Sequence, residues 1–469
     1  MVTGAPPTVV IAAPASGSGK TTITTGLVGA LAAAGHTVAP FKVGPDYIDP
    51  GYHSLAAGRP GRNLDPNLVG EHRIGPLFAA GCVGADIAVV EGVMGLFDGR
   101  ITDDPGTLGV GSTAHVATLI GAPVILVVDA GGHSQSLAAL LHGFIAYDPA
   151  VHVAGVILNR VGSDRHEAVL RQACDRVGLP VFGVVRRDAA LTVPSRHLGL
   201  VPAAERSADA VAAVAAITEK VSAGLDVDAL VRLARSASRA ASARWSAAWS
   251  AHDEMAEHRV ADGPVIAVAQ GAAFTFGYAE HPELLAAAGA GVVGFDPLHD
   301  RLPVDTAGVV IGGGFPEEHA ADLAANDGLR RDLAAHVAAG RPVHAECAGL
   351  LYLTSMLDGH PMVGAVDAVG AFGPRLTLGY RDAVAVADSV LYRTGERVTG
   401  HEFHRSTVAF AGERTPAWAW RTADANAVDG VVSGGVHASY LHVHPAGVPQ
   451  AVGRFVRATQ PGQVPGTPA

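Results

Sequence analysis

The chain has 469 residues, 49% hydrophobic and 16% charged, with a formal net charge of −11; this suits about two to four globular domains with large cores and excludes an intrinsically disordered chain. An acidic balance without clustered Lys and Arg excludes a nucleic-acid surface, and no run reaches the ~18 uninterrupted apolar residues of a membrane span. Three cysteines, Cys82, Cys174 and Cys347, are too few for a disulfide framework or a zinc site, and a reducing cytoplasm is the expected setting.

From Thr8 to about Val185, apolar β-rich runs alternate with helical periodicity: Thr8 to Ala12, Thr37 to Val43, Asp86 to Glu91, Pro123 to Asp129, Val153 to Asn159 and Val181 to Val185. Runs of this kind, buried on both faces, predict a parallel sheet with crossover helices. The first run ends in Ala13-Pro14-Ala15-Ser16-Gly17-Ser18-Gly19-Lys20-Thr21-Thr22, ahead of a helix reaching Gly35. Ser16, Gly17, Ser18, Gly19, Lys20, Thr21 and Thr22 form the expected ATP site. Backbone N–H groups wrap the phosphates, Lys20 reaches the terminal ones, and Thr21 can coordinate Mg²⁺. A strict G-x-x-x-x-G-K-[ST] loop has Gly where Pro14 stands; this one is a residue longer, with Ala13 leading.

The second run closes at Lys42 and continues through Asp46 and Asp49; the third closes at Glu91 and continues to Asp98. In a doubly wound sheet the C-terminal strand ends share one crevice, so Lys42, Asp46, Glu91 and Asp98 should converge on the phosphate loop. Oxygen donors there suit Mg²⁺, with Thr21, Asp46 and Glu91 as the expected metal set. Asn159, ending a later run, can hold the adenine through its amide. Residues 221–262 lack strand signals and read as a linker, with Trp245 and Trp249 at i, i+4 packing it onto a domain.

A second strand-rich domain starts at Pro264, with Val265 to Ala269, Val292 to Phe295, Gly308 to Ile311 and Pro342 to Ala345 as core strands. Its last strand runs into Glu346-Cys347-Ala348-Gly349-Leu350, where Leu350, Leu351 and Leu353 begin an amphipathic helix. That is the setting of an exposed nucleophile: the thiol projects from the sheet edge, the helix N-terminus favours its thiolate, and the Ala348 N–H can face an oxyanion. Gly313 and Gly314, after another apolar strand, can supply a second N–H. His442 offers an imidazole as base, with His444 two residues on. Residues 461–469, rich in Pro and Gly, read as a disordered tail.

The order of glycine loop, cysteine elbow and C-terminal histidine resembles the glutaminase domain of class I glutamine amidotransferases. The phosphate loop resembles those of dethiobiotin synthetases. Over nearly the whole chain, SGSGKTT, KVGPDYIDPGYH, VEGVMGLFDG, ILNRVGS, GGGFPE, AECAGLLYL, GHEFHRS and ASYLHVH follow the order seen in cobyrinic acid and hydrogenobyrinic acid a,c-diamide synthases. The resemblance implies two doubly wound α/β domains: an ATP-dependent amide-ligase domain at 1–220 and a glutamine amidotransferase domain at 263–460.

It also implies amidation of the a and c acetates of hydrogenobyrinic or cobyrinic acid in cobalamin biosynthesis, with glutamine, ATP and Mg²⁺. Cys347 and His442 would release ammonia at an oxyanion hole of Ala348, Gly313 and Gly314, and Lys42, Asp46 and Asp98 would serve carboxylate activation. Two sites in one chain imply a passage or closed interface that keeps ammonia from water. Many relatives carry an acidic residue two positions after the histidine, where this chain has His444, so a dyad and a triad with an unusual third member both stay open. So do a cobyric acid synthase-like or nickel-sirohydrochlorin amidase-like substrate, a partition-type ATPase without amidase activity, the presence of cobalt in the substrate, and the oligomeric state, a homodimer included.

Overall fold

The computed structural model describes residues 6–101, 109–188, 195–196, 199–200, 207–241, 249–422 and 425–460. The chain divides into two compact units, Met1–Trp249 and Ser250–Ala469. Among the described residues no helix is long and apolar enough to cross a membrane.

In the first unit the strands are β1 (Thr8–Ala12), β2 (Val38–Val43), β3 (Arg62–Leu64), β4 (Ile87–Glu91), β5 (Val124–Asp129), β6 (Val153–Val161) and β7 (Val181–Arg186). They form one sheet in the order β3-β2-β4-β1-β5-β6-β7, with every pairing parallel. Val9 to Ala12, Ala88 to Val90 and Val124 to Val128 are fully buried, which is why these runs read as continuous rather than alternating. β3 has three residues and a polar start, too short and too mixed to announce itself as a strand.

Helix α1 (Lys20–Ala33) follows the phosphate loop and α2 (Asp49–Ala57) follows β2. Helix α3 (Ser207–Ser222) packs on α1, and α4 (Val227–Ala241) packs on β1 and β7. Much of the expected linker therefore belongs to the first unit: Leu230, Val231 and Ala234 form a buried stripe at helical spacing. Trp249 is buried, and its backbone N–H donates to the Pro76 carbonyl at 2.9 Å. Trp245 and the 461–469 tail lie outside the described residues.

The second unit's principal sheet contains β8 (Val265–Ala269), β9 (Gly291–Phe295), β10 (Thr306–Ile311), β11 (Val343–Glu346), β14 (Val431–Ser433) and β15 (Val436–Ser439), in the order β9-β8-β10-β11-β15-β14. All pairs are parallel except β14 with β15. Inserted before β14 are two long strands, β12 (Ala368–Ala385) and β13 (Arg397–Phe410), which pair antiparallel in a separate sheet. Glycines and charges interrupt β12, and much of it is exposed, so its sequence lacks the alternation that marks a half-buried strand. Helix α5 (Glu280–Ala287) packs beside the C-terminal helix α7 (Pro449–Ala458), and α6 (Ala348–Leu353) leaves the end of β11. α6 is buried on every side rather than amphipathic.

Candidate active site

In the first unit, the C-terminal ends of β1, β2, β4 and β6 and the start of β7's following loop surround a cleft of ≈ 570 Å³. Its lining includes Ser16, Gly17, Gly19, Lys20, Thr21, Thr22, Lys42, Asp46, Asp49, Glu91 and Asn159. The phosphate loop is held internally by the Ser18 hydroxyl on the Ala15 carbonyl at 2.9 Å and by Asn159 Nδ2 on the Ser18 carbonyl at 2.9 Å. Asn159 thus fixes the loop as well as lining the cleft. Lys20 Nζ donates to the Met94 carbonyl at 2.5 Å. Burial, reinforced by repulsion from Lys42, brings its ammonium down to about 8.

Behind the loop lies a charged cluster. Lys42 Nζ donates to Asp49 Oδ2 at 2.7 Å, Glu91 Oε1 at 2.9 Å and the Gly92 carbonyl at 3.1 Å. The Thr21 hydroxyl reaches Glu91 Oε1 at 2.7 Å and Asp49 Oδ2 at 3.2 Å, and His53 Nε2 lies 2.7 Å from Glu91 Oε2. Burial alone would lower the Lys42 ammonium, but Asp49, Glu91 and Asp46 outweigh it and hold it high. Burial likewise opposes ionisation of Glu91, and Lys42 and His53 overcome it. Asp49 is different: burial and neighbouring Asp46 push its carboxyl well up despite Lys42. The cluster thus gathers two acidic side chains and a histidine around the single Lys42 ammonium. Removing Lys42 would leave buried carboxylates unpaired, at a cost of about 3–5 kcal/mol.

Asp46 Oδ1 accepts from the backbone N–H groups of Ile48 at 2.7 Å and Asp49 at 3.1 Å, so this side chain shapes the turn into α2 while still lining the cleft. Asp98 Oδ2 accepts from the Gly95 N–H at 2.8 Å and shapes the loop after β4. Asp49, expected only as the acid following Asp46, and His53, which the sequence did not single out, complete the cluster. Both lie in the quoted KVGPDYIDPGYH stretch, and their spacing of four residues along α2 is the signal that they share a face.

In the second unit, β11 delivers Cys347 to its end with φ 51° and ψ −102°, a left-handed conformation that costs about 1–3 kcal/mol at a non-glycine residue. A Cβ on Gly349 would lie 2.2 Å from the Ile311 carbonyl oxygen, so only glycine lets α6 start this close to β10. The Gly349 N–H also donates to the Gly312 carbonyl at 3.1 Å. The thiol is not exposed: Cys347 is 3% accessible and belongs to the same buried cluster as Ile311, Ala345 and Tyr440. Nor is it a ready thiolate. Burial, aided by Glu317, Glu346 and Asp429, pushes the thiol well above its ordinary range, and the Ala348 N–H only partly offsets this.

His442 is buried beside the glycine loop: its Cε1 lies 2.5 Å from where a Cβ on Gly313 would stand. Its ring stacks on His401 at 5.0 Å and 22°, and the two residues exchange backbone hydrogen bonds at 2.9 Å. Asp429 Oδ2 accepts from the N–H groups of Tyr440 at 2.8 Å and Leu441 at 3.2 Å, fixing the segment that carries His442. Burial, with Glu402 nearby, pushes the Asp429 carboxyl up to about 6. His442 Nδ1 lies 3.4 Å from Glu346 Oε2. His444 has other partners: it stacks on Tyr278 at 4.0 Å, its Nε2 is 3.8 Å from Glu280 Oε2, and its Nδ1 accepts from the Ala446 N–H. Gly314 sits against the Ala273 carbonyl, where a Cβ would approach to 2.1 Å.

Residues 9–201 match the family described as the CobQ/CobB/MinD/ParA nucleotide binding domain, and residues 265–448 match the CobB/CobQ-like glutamine amidotransferase domain. The chain is 61% identical over 449 residues to the hydrogenobyrinate a,c-diamide synthase of Mycobacterium tuberculosis, covering 96% of this chain and 97% of that one. It is 55% identical over 475 residues to the Streptomyces coelicolor protein of the same name, covering 96% and 97%. The cobyrinate a,c-diamide synthase of Gloeobacter violaceus is 42% identical over 456 residues, covering 96% of each.

Proposed function

The chain belongs to the family of hydrogenobyrinate and cobyrinate a,c-diamide synthases, and on that premise we propose that it converts the a and c acetates of hydrogenobyrinic acid to amides, using glutamine as nitrogen donor and ATP as activator. The metal-free macrocycle is the preferred substrate because the relatives named for it are more similar than the one named for cobyrinate. The setting is cytoplasmic, where ATP and glutamine are both supplied.

The observation that carries this reading is the presence, in one chain, of a phosphate loop with an acidic cluster and of a strained cysteine with a buried histidine. A carboxylate is a poor electrophile at neutral pH, so its oxygen first attacks the γ-phosphorus of ATP, ADP leaves, and an acyl phosphate forms. The loop N–H groups and Lys20 hold the phosphates through this step. Thr21, Glu91 and Asp49 offer oxygen donors that would hold Mg²⁺, with Asp46 at the cleft wall; the ion would supply neutralisation of phosphate charge. Lys42 holds those carboxylates in place, and Asp98 holds the adjoining loop.

In the second unit the high proton affinity of Cys347 makes a base obligatory. His442 takes the thiol proton as Sγ attacks the glutamine amide carbon, and the Ala348 N–H with those of the Gly313–Gly314 loop stabilises the oxyanion. The proton then passes to the leaving ammonia, and water hydrolyses the thioester. Ammonia attacks the acyl phosphate, forming the amide and releasing phosphate. Incubation with ATP, Mg²⁺, glutamine and hydrogenobyrinic acid should give two successive amide additions by mass; product formation without ATP or without a nitrogen donor would overturn the reading.

A further inference from the structure

In the absence of an acidic residue two positions after His442, the structure assigns its orientation to Glu346, the residue immediately before the nucleophile. We propose that Glu346 is the positioning residue that holds the His442 ring as a base, an inference that rests on the glutaminase reading above. Parallel pairing of β11 with β15 places Glu346 opposite Ser439, three residues before His442, so the carboxylate arrives from the neighbouring strand. Oε2 faces His442 Nδ1 at 3.4 Å. Oε1 faces His344 Nε2 at 3.3 Å and accepts from the Val443 N–H at 3.3 Å. The side chain is only 14% exposed, and the two histidines hold its carboxyl well below its usual range against the effect of burial.

The ring is closed in around this contact by His401 on one face and Gly313 at Cε1. A carboxylate at Nδ1 selects the tautomer with the proton on Nδ1, leaving Nε2 as the acceptor that the thiol proton requires. Glu346 accepts a hydrogen bond throughout and takes no proton itself. The Cys347 proton moves to Nε2 and then to the departing nitrogen.

Glu346→Gln discriminates sharply. The Val443 N–H requires an acceptor, so the Gln carbonyl oxygen faces it and the Gln NH₂ faces His442 Nδ1. That forces the imidazole proton to Nε2, the wrong tautomer. The expected result is a fall in kcat for glutamine hydrolysis of about 10²-fold or more, with KM for glutamine unchanged within about threefold. Amidation supported by ammonium salts should stay at the wild-type rate, and imidazole ¹⁵N spectra should show the His442 proton moved from Nδ1 to Nε2. Glu346→Asp, retaining the charge, should recover part of the loss. A Gln variant that hydrolyses glutamine within about threefold of wild type, or that loses ammonium-supported amidation to the same degree, overturns the proposal. Inactivity of Cys347→Ser alongside a fully active Glu346→Gln would refute this inference alone; full glutamine-dependent activity in Cys347→Ser would refute the parent reading.

Discussion

The nucleotide cleft and the thiol site both lie where parallel strands end, yet they solve opposite electrostatic problems. The cleft is dense in charge, with Lys42, Glu91, Asp49, Thr21 and His53 in one network. The thiol site is closed, and burial raises the Cys347 thiol and depresses His401, while Glu346 is held as a carboxylate by the histidines beside it. One site is organised to bind charge that arrives with substrate. The other keeps the proton on its thiol until a base is placed to take it.

The two sites separate most sharply when the nucleophile of one is removed. Cys347→Ser should lower glutamine-dependent amidation by about 10³-fold or more, since an alcohol with the same base is a far weaker nucleophile for an amide. Amidation with ammonium salts at raised pH should persist, because no residue of the first unit has changed. Parallel assays with the two nitrogen donors check this, and a loss with both donors in a folded variant would show that the thiol serves the ligase step too.

Next in size is the choice between the two histidines. His442→Ala removes the imidazole beside Gly313 and Glu346, and should cost about 10²-fold or more in glutaminase rate. His444→Ala removes a ring stacked on Tyr278 near Glu280, and should act mainly through lost packing, about 1–3 kcal/mol of stability. Glutaminase kinetics and thermal melts on both variants decide it; a greater kinetic loss in His444→Ala would exchange the roles.

Lys20→Ala tests the other region. Removing the cation on the phosphates should slow amidation with either nitrogen donor by about 10²-fold, while glutamine hydrolysis without macrocycle changes little. Retained ATP-dependent amidation would remove Lys20 from the phosphate site.

How legible the two regions were follows from how local their parts are. The phosphate loop is contiguous, so Ser16 to Thr22 read directly from sequence, and the strands around it were visible as unbroken apolar runs. Within the acidic cluster, Asp46 and Asp49 are separated by three positions, and only the turn geometry shows that Asp46 caps backbone N–H groups while Asp49 meets Thr21 and Lys42. At the thiol site, Cys347 and His442 read from their flanking motifs, but burial did not: an exposed thiolate was the natural expectation at a strand end. Glu346 stood beside the nucleophile in plain view. Its relation to His442 depends on the register of β11 with β15, a tertiary fact no local pattern encodes.

The smallest predicted effect concerns pH and separates binding from folding within the cleft. Lys20 is lowered to about 8 by burial first and Lys42 second. Below pH 8 it is charged in folded and unfolded chains alike, and its full burial penalty is present. Between pH 8 and its ordinary 10.5 the folded chain has shed a proton that the unfolded chain retains, so its contribution to stability becomes more favourable as pH rises. Nucleotide binding should run the other way, since phosphates require the ammonium: affinity should weaken about tenfold between pH 7 and pH 9. Calorimetric titration of ATP across that range checks it, with Lys20→Ala as the control. A flat profile in the wild type, or the same slope in Lys20→Ala, would mean that another group sets the affinity and that the Lys20 ammonium is not what the phosphates meet.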